Sequence, residues 1–190
     1  MRIAVSGSHA TGKSTLVAEL VRRLPDVTSF DEPYYLLEAE GHAFAAKPTT
    51  GDFELLLERA VSLLAAPEPR TAVFDRCPAD YLAYLAALSP AAISPDRTAE
   101  AAVALQTLDL VIFVPLERPD RIAMAEAPVL RRHVDRILRE MLVENAWGFD
   151  MPVVTVHGTP EERADHVVAF LESATRTGVA GGARPGQHRR

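Results

Sequence analysis

Lys13, Ser14 and the glycines at 7 and 12 stand at a spacing that suits one task, the binding of a polyphosphate. The run Gly7-Ser8-His9-Ala10-Thr11-Gly12-Lys13-Ser14 has the form G-x-x-x-x-G-K-S and follows the apolar Ile3-Ala4-Val5 directly. A strand should therefore end at Ser6, turn its backbone N–H groups around the anion, and lead into a helix near Lys13 whose positive end faces the same charge. Lys13 would reach the β- and γ-phosphates, the Ser14 hydroxyl would ligate Mg²⁺, and Thr15 would meet the α-phosphate. His9, Ala10 and Thr11 contribute backbone to the loop, and Gly7 and Gly12 supply conformations that a side chain would hinder. A glycine turn that binds nothing would leave Lys13 no reason to sit among its amides.

The elements that must position this loop alternate along the chain. Leu16, Val17, Leu20, Val21 and Leu24 fall on one helical face, and Pro25 ends that run. Val27 to Phe30 predicts a second strand delivering Asp31 and Glu32 at its end. A helix is expected over 34–40, and Asp52 to Ala65 is apolar nearly all round, which predicts a well-buried helix. Thr71 to Phe74 predicts a third strand delivering Asp75 and Arg76, with Pro78 opening the next helix in its first turn. Ser94 or Asp96 can cap a helix over 97–107, and the consecutive apolar residues Leu110 to Val114 mark a buried strand. Leu130, Val134, Ile137, Leu138, Met141 and Leu142 predict a helix over 129–145. A strand over 153–156 and a helix over 161–172 close the pattern. Five strands separated by helices give an α/β fold with a mainly parallel sheet, and ligands of such sheets collect beyond the carboxyl ends of the strands. Gly7, Glu32, Asp75 and the segments after Val114 and Val156 should then border one crevice.

At 190 residues, 48% hydrophobic, the chain suits one domain with a full core. A net charge of −6 argues against broad contact with nucleic acid or an anionic membrane. The one cysteine, Cys77, forms no internal disulfide, no segment has the length of a membrane span, and the opening apolar run is too short for a signal peptide, so a cytoplasmic protein is expected. The histidines lack metal-ligand spacing. A domain over 1–173, with a lid around 117–145, and a disordered tail over 174–190 rich in glycine complete the expected organisation.

The strand ends carry a resemblance. Phe30-Asp31-Glu32-Pro33-Tyr34 resembles the Glu-Pro motif after the second strand of deoxynucleoside kinases, and Phe74-Asp75-Arg76-Cys77 resembles their Asp-Arg-Ser motif, with cysteine in place of serine. Residues 1 to about 173 are similar to the small bacterial P-loop "AAA-type ATPase" family related to nucleoside and nicotinamide riboside kinases. The shared stretches include Asp80 to Tyr84 and the arginine-bearing Leu130-Arg131-Arg132-x-Val134-Asp135. The resemblance implies a parallel sheet in the order 2-3-1-4-5 with helices on both faces. It also implies Glu32 as the base or hydroxyl-orienting group, ahead of Asp31, and Gly158 beside adenine.

Phosphoryl transfer needs positioned reactants, neutralised charge and an oriented hydroxyl. Asp75 can hold a water on Mg²⁺ or order the acceptor, and Arg76 can bridge acceptor and moving phosphoryl group. The same pair can instead tie strand to helix. Among Arg131, Arg132, Arg136 and Arg139, Arg132 is the first choice for a lid cation, against a solvated basic face. The expected activity is an ATP- and Mg²⁺-dependent kinase acting on a small acceptor such as a nucleoside, a nucleotide or a similar hydroxylated compound. A nucleotide-binding NTPase switch acting on a protein partner is the alternative, and a homodimer is left open.

Overall fold

A computed structural model describes residues 1–67, 71–117 and 127–176 of the chain. Five strands, β1 (Arg2–Ser6), β2 (Val27–Phe30), β3 (Thr71–Asp75), β4 (Leu110–Phe113) and β5 (Val153–Thr155), form one sheet in the order β2-β3-β1-β4-β5. Every pairing is parallel, with Val5 beside Asp75 on one side and Ile112 on the other. The end of β1 thus lies at the middle of the sheet, and the segments leaving β3 and β4 flank it.

Each central strand must be apolar on both faces because helices cover both. Ile3, Val5, Val73, Leu110, Ile112 and Val114 pack against α1 (Lys13–Arg23) and α7 (Pro160–Arg176). Ala4, Ala72, Phe74, Val111 and Phe113 face the other layer, formed by α3 (Thr50–Ala65), α4 (Pro78–Leu88), α5 (Pro95–Leu105) and α6 (Pro128–Leu138). The short α2 (Pro33–Ala39) follows β2.

The fully buried helix is α4, not α3. Every residue of α4 from Pro78 to Ala86 is buried, whereas α3 buries one stripe, Phe53, Leu56, Leu57, Ala60 and Leu64. The reason is position: α4 runs under the sheet with α3 and α6 on either side of it. Ser94 is the cap of α5, accepting from Arg97 N at 3.2 Å, so that helix starts two residues earlier than periodicity suggested. After Leu138 the helix loosens into a π-turn over Arg139–Val143. Part of the expected lid, 118–126, and the tail over 177–190 lie outside the described residues, while 174–176 continue α7. No helix among the described residues is long and apolar enough to cross a membrane.

Candidate functional site

A loop that turns its N–H groups inward must turn its carbonyls outward, and each buried carbonyl then needs a donor. Here they can be followed one by one. Gly7 O accepts from Arg76 Nη1 at 3.0 Å, and Ser8 O from Lys13 Nζ at 2.7 Å and Thr11 Oγ1 at 3.1 Å. His9 O and Ala10 O both accept from Arg131, through Nε and Nη2, at 2.8 Å each. Thr11 O accepts from Arg163 Nη1 at 2.7 Å, and Gly12 O from Leu16 N at 3.1 Å. Four cations, Lys13 of α1 and the arginines from the end of β3, α6 and α7, therefore hold the loop through its carbonyls.

Gly12, at φ 88°, caps α1 without a side-chain bond, so the first amides of the helix stay directed at the loop's concavity. A Cβ on Gly7 would collide with the carbonyl oxygen of Val114, a backbone atom with no room to retreat. Gly7→Ala is accordingly expected to cost about 1–3 kcal/mol in denaturant unfolding through overpacking.

Beyond β3 the acids and Arg76 meet the loop. Arg76 adopts φ 77°, a left-handed conformation that an arginine takes at a cost of about 1–2 kcal/mol. Its guanidinium offsets that strain by bonding Glu32 Oε1 at 2.6 Å, Gly7 O, and Asp80 Oδ1 at 3.4 Å. Asp80, fully buried, also accepts from Gly7 N at 3.0 Å and Cys77 N at 2.9 Å. Glu32 is half-buried at the start of α2, while Asp31 is exposed. On the α4 side, Tyr84 Oη accepts from His9 N at 3.0 Å and its ring stacks on Phe53.

Asp75 is buried, and its Oδ1 has no partner among the described residues. Burial pushes its pKa up, and the Ser14 hydroxyl and Lys13 oppose that shift. Lys13 is pulled down to about 8, first by burial and then by Arg76, against the acids Glu32, Asp80 and Asp75. Only its charged form attracts a polyphosphate, so with chelator present tripolyphosphate affinity should fall as pH rises through about 8, approaching tenfold per unit. Calorimetry on Lys13→Arg, whose guanidinium stays charged, should show that slope removed.

On the opposite side of the loop lies a cleft of about 210 Å³, walled by Ala10, Thr11, Gly12, Thr15, Pro115 to Glu117, Arg131, Gly158, Pro160 and Arg163. The expected residues thus divide into two groups around one loop. Lys13, Glu32, Asp75 and Arg76 converge on the β3 side, and Thr15 and Gly158 line the β4–β5 side. Arg132 joins neither group: it is exposed on α6, where it lines a neighbouring cavity of about 610 Å³ with Glu117, Arg131 and Arg136, and Arg131, one residue earlier, is the arginine bonded to the loop. Asp80, Arg163 and Glu117 were not singled out by sequence for any role in the site.

A phosphate-binding loop between the first, central strand and the first helix of a parallel 2-3-1-4-5 sheet defines a P-loop NTPase domain. Within that class the chain belongs to the AAA-domain family, whose model matches residues 2–163. No curated protein matches it in sequence. Several solved structures share its fold. Deoxyadenosine kinase from M. mycoides with bound dATP is 16% identical, with a TM-score of 0.63 over 90% of this chain and 100% of that one. Thymidylate kinase from Candida albicans is 15% identical, TM-score 0.61, over 92% of each chain, and shikimate kinase from Aquifex aeolicus is 17% identical, TM-score 0.56, over 96% and 100%.

Proposed function

We propose that the protein is an ATP-dependent kinase that transfers the γ-phosphoryl group to a small hydroxylated acceptor, a nucleoside, a nucleotide or a similar compound. The observation that carries this reading is the Arg76 guanidinium, bonded at once to the loop carbonyl of Gly7 and to the Glu32 carboxylate. A phosphate cradle and a strand-end acid joined by one cation are the parts that transfer to an oriented hydroxyl requires. The kinases that share the fold support the same assignment.

Within this reading Lys13 and the loop amides from Ala10 to Ser14 hold the polyphosphate, while Gly7 N and His9 N stay bonded to Asp80 and Tyr84. Glu32 orients the acceptor hydroxyl and takes its proton, and Arg76 spans the acceptor and the moving group. Thr15 and Gly158 border the nucleoside end in the 210 Å³ cleft. Ser14 and Asp75 suit Mg²⁺: one hydroxyl and one carboxylate, with an unpartnered buried oxygen on the latter, match an ion that keeps most of its ligands as water and phosphate. The ion would supply neutralisation of charge on the β- and γ-oxygens.

The test is ADP release from ATP across nucleosides, nucleotides, nicotinamide riboside and sugar-like antibiotics. Stimulation by one class identifies the acceptor. Hydrolysis indifferent to all of them would overturn transfer in favour of an NTPase switch.

A further inference from the structure

We propose that Arg163 and Glu117 form a positioning pair that fastens the phosphate loop to the two strand-end segments walling the cleft, so that the grip on polyphosphate and on nucleoside is set together. The proposal rests on the nucleotide-binding reading above. Its basis is one continuous set of bonds. Arg163, in the first turn of α7 and 5% exposed, donates Nη1 to Thr11 O at 2.7 Å and Nη2 to Glu117 Oε1 at 3.0 Å. The same Glu117 oxygen accepts from Gly158 N at 2.7 Å. The loop, the segment after β4 and the segment after β5 therefore meet on one guanidinium and one carboxylate.

The approach is close because residue 12 has no side chain: a Cβ there would come within 3.1 Å of Arg163 Nη1. Drawing a cation onto the outward carbonyl polarises the peptide group whose N–H faces inward, so the fastening also strengthens the loop's donors toward an anion. A buried cation and anion used only to fill space would be replaced by apolar side chains at little cost, whereas here both groups are spent on the backbone of the two walls. The planar fork of arginine is what spans two acceptors at once, and a lysine in its place reaches one.

The experiment combines backbone amide exchange with calorimetry on the whole chain, comparing wild type with Arg163→Gln, Arg163→Lys and Glu117→Ala. Arg163→Gln should speed exchange in peptides covering residues 7–14 while β1 and α4 keep their protection, and should weaken both ATP and tripolyphosphate about tenfold. Arg163→Lys should recover tripolyphosphate affinity and leave ATP weakened. Glu117→Ala should weaken ATP more than tripolyphosphate, since it removes the acceptor of Gly158 N, frees the cleft wall and spares the Thr11 bond. The proposal is overturned if loop exchange and both affinities stay within twofold of wild type in Arg163→Gln, or if exchange rises evenly across the protein. Wild type binding neither ligand would refute the nucleotide reading, and the exchange arm, which needs no ligand, would still decide the fastening.

Discussion

Replacing Asp80 with alanine is expected to lower the free energy of unfolding by about 3–5 kcal/mol, the range for removing one member of a buried ion pair. Asp80 is completely buried and serves three partners at once: Gly7 N at the start of the phosphate loop, Cys77 N at the start of α4, and the Arg76 guanidinium. Truncation leaves two buried N–H groups without an acceptor and removes part of the counter-charge around a cation that already sits in a strained backbone conformation. Asp80→Asn keeps the shape and one acceptor oxygen but turns the other atom into a donor facing donors, so it should fall between alanine and wild type. Urea unfolding with an unchanged m-value is the measurement. A loss under 1 kcal/mol for the alanine variant would show that water or Glu32 takes over all three contacts.

Nothing in sequence pointed to Asp80 as the hub of the site, although it lies in the Asp80 to Tyr84 stretch that resembles the small P-loop ATPase family. A carboxylate three residues after Cys77, with Pro78 between, reads as an ordinary first-turn acid, and it does complete a capping box with Cys77. What periodicity could not supply is that α4 is buried on all sides, which forces its cap to find partners within the protein. By contrast the strand, loop and first helix were legible because each signal repeats the others: Leu16, Val17 and Leu20 are buried as their spacing requires, and Gly12 takes the left-handed backbone that a loop feeding a helix demands. The order of the strands came from the resemblance alone, since parallel neighbours leave no trace in local pattern.

The arginines show what helical register adds to a charge pattern. Counting by three and four from Val134 and Leu138 leads back to Arg131, not Arg132, and Arg131 is buried with Val134, Asp135 and Leu138. Charge alone allows either a lid cation, for which Arg132 is the first choice, or a solvated face, and the helical register that separates these arginines was available. Arg163 was hidden for the same reason. It stands one residue before the buried Ala164 and four before the buried Val167, a placement that turns an arginine inward, where only backbone carbonyls and an acid can receive it.

Glu32→Gln is expected to reduce turnover by about 10²- to 10⁴-fold, the range for loss of a general base, with ATP affinity changed by less than about threefold. The asymmetry follows from where the side chain sits. On the proposed reading nucleotide is gripped by the loop and the cleft beyond it, whereas Glu32 enters from the end of β2 on the other side of Arg76. A glutamine still accepts from Arg76 Nε, so the guanidinium keeps its place through Gly7 O and Asp80 Oδ1, and what disappears is the capacity to take a proton. Asp31→Asn separates the two neighbouring carboxylates: being exposed, Asp31 should matter less than twofold. Single-turnover transfer to the acceptor found by screening, measured beside ATP binding, reads both quantities. Full turnover in the glutamine variant would reduce Glu32 to a counter-ion for Arg76, and Arg76→Lys would then be the substitution that abolishes transfer.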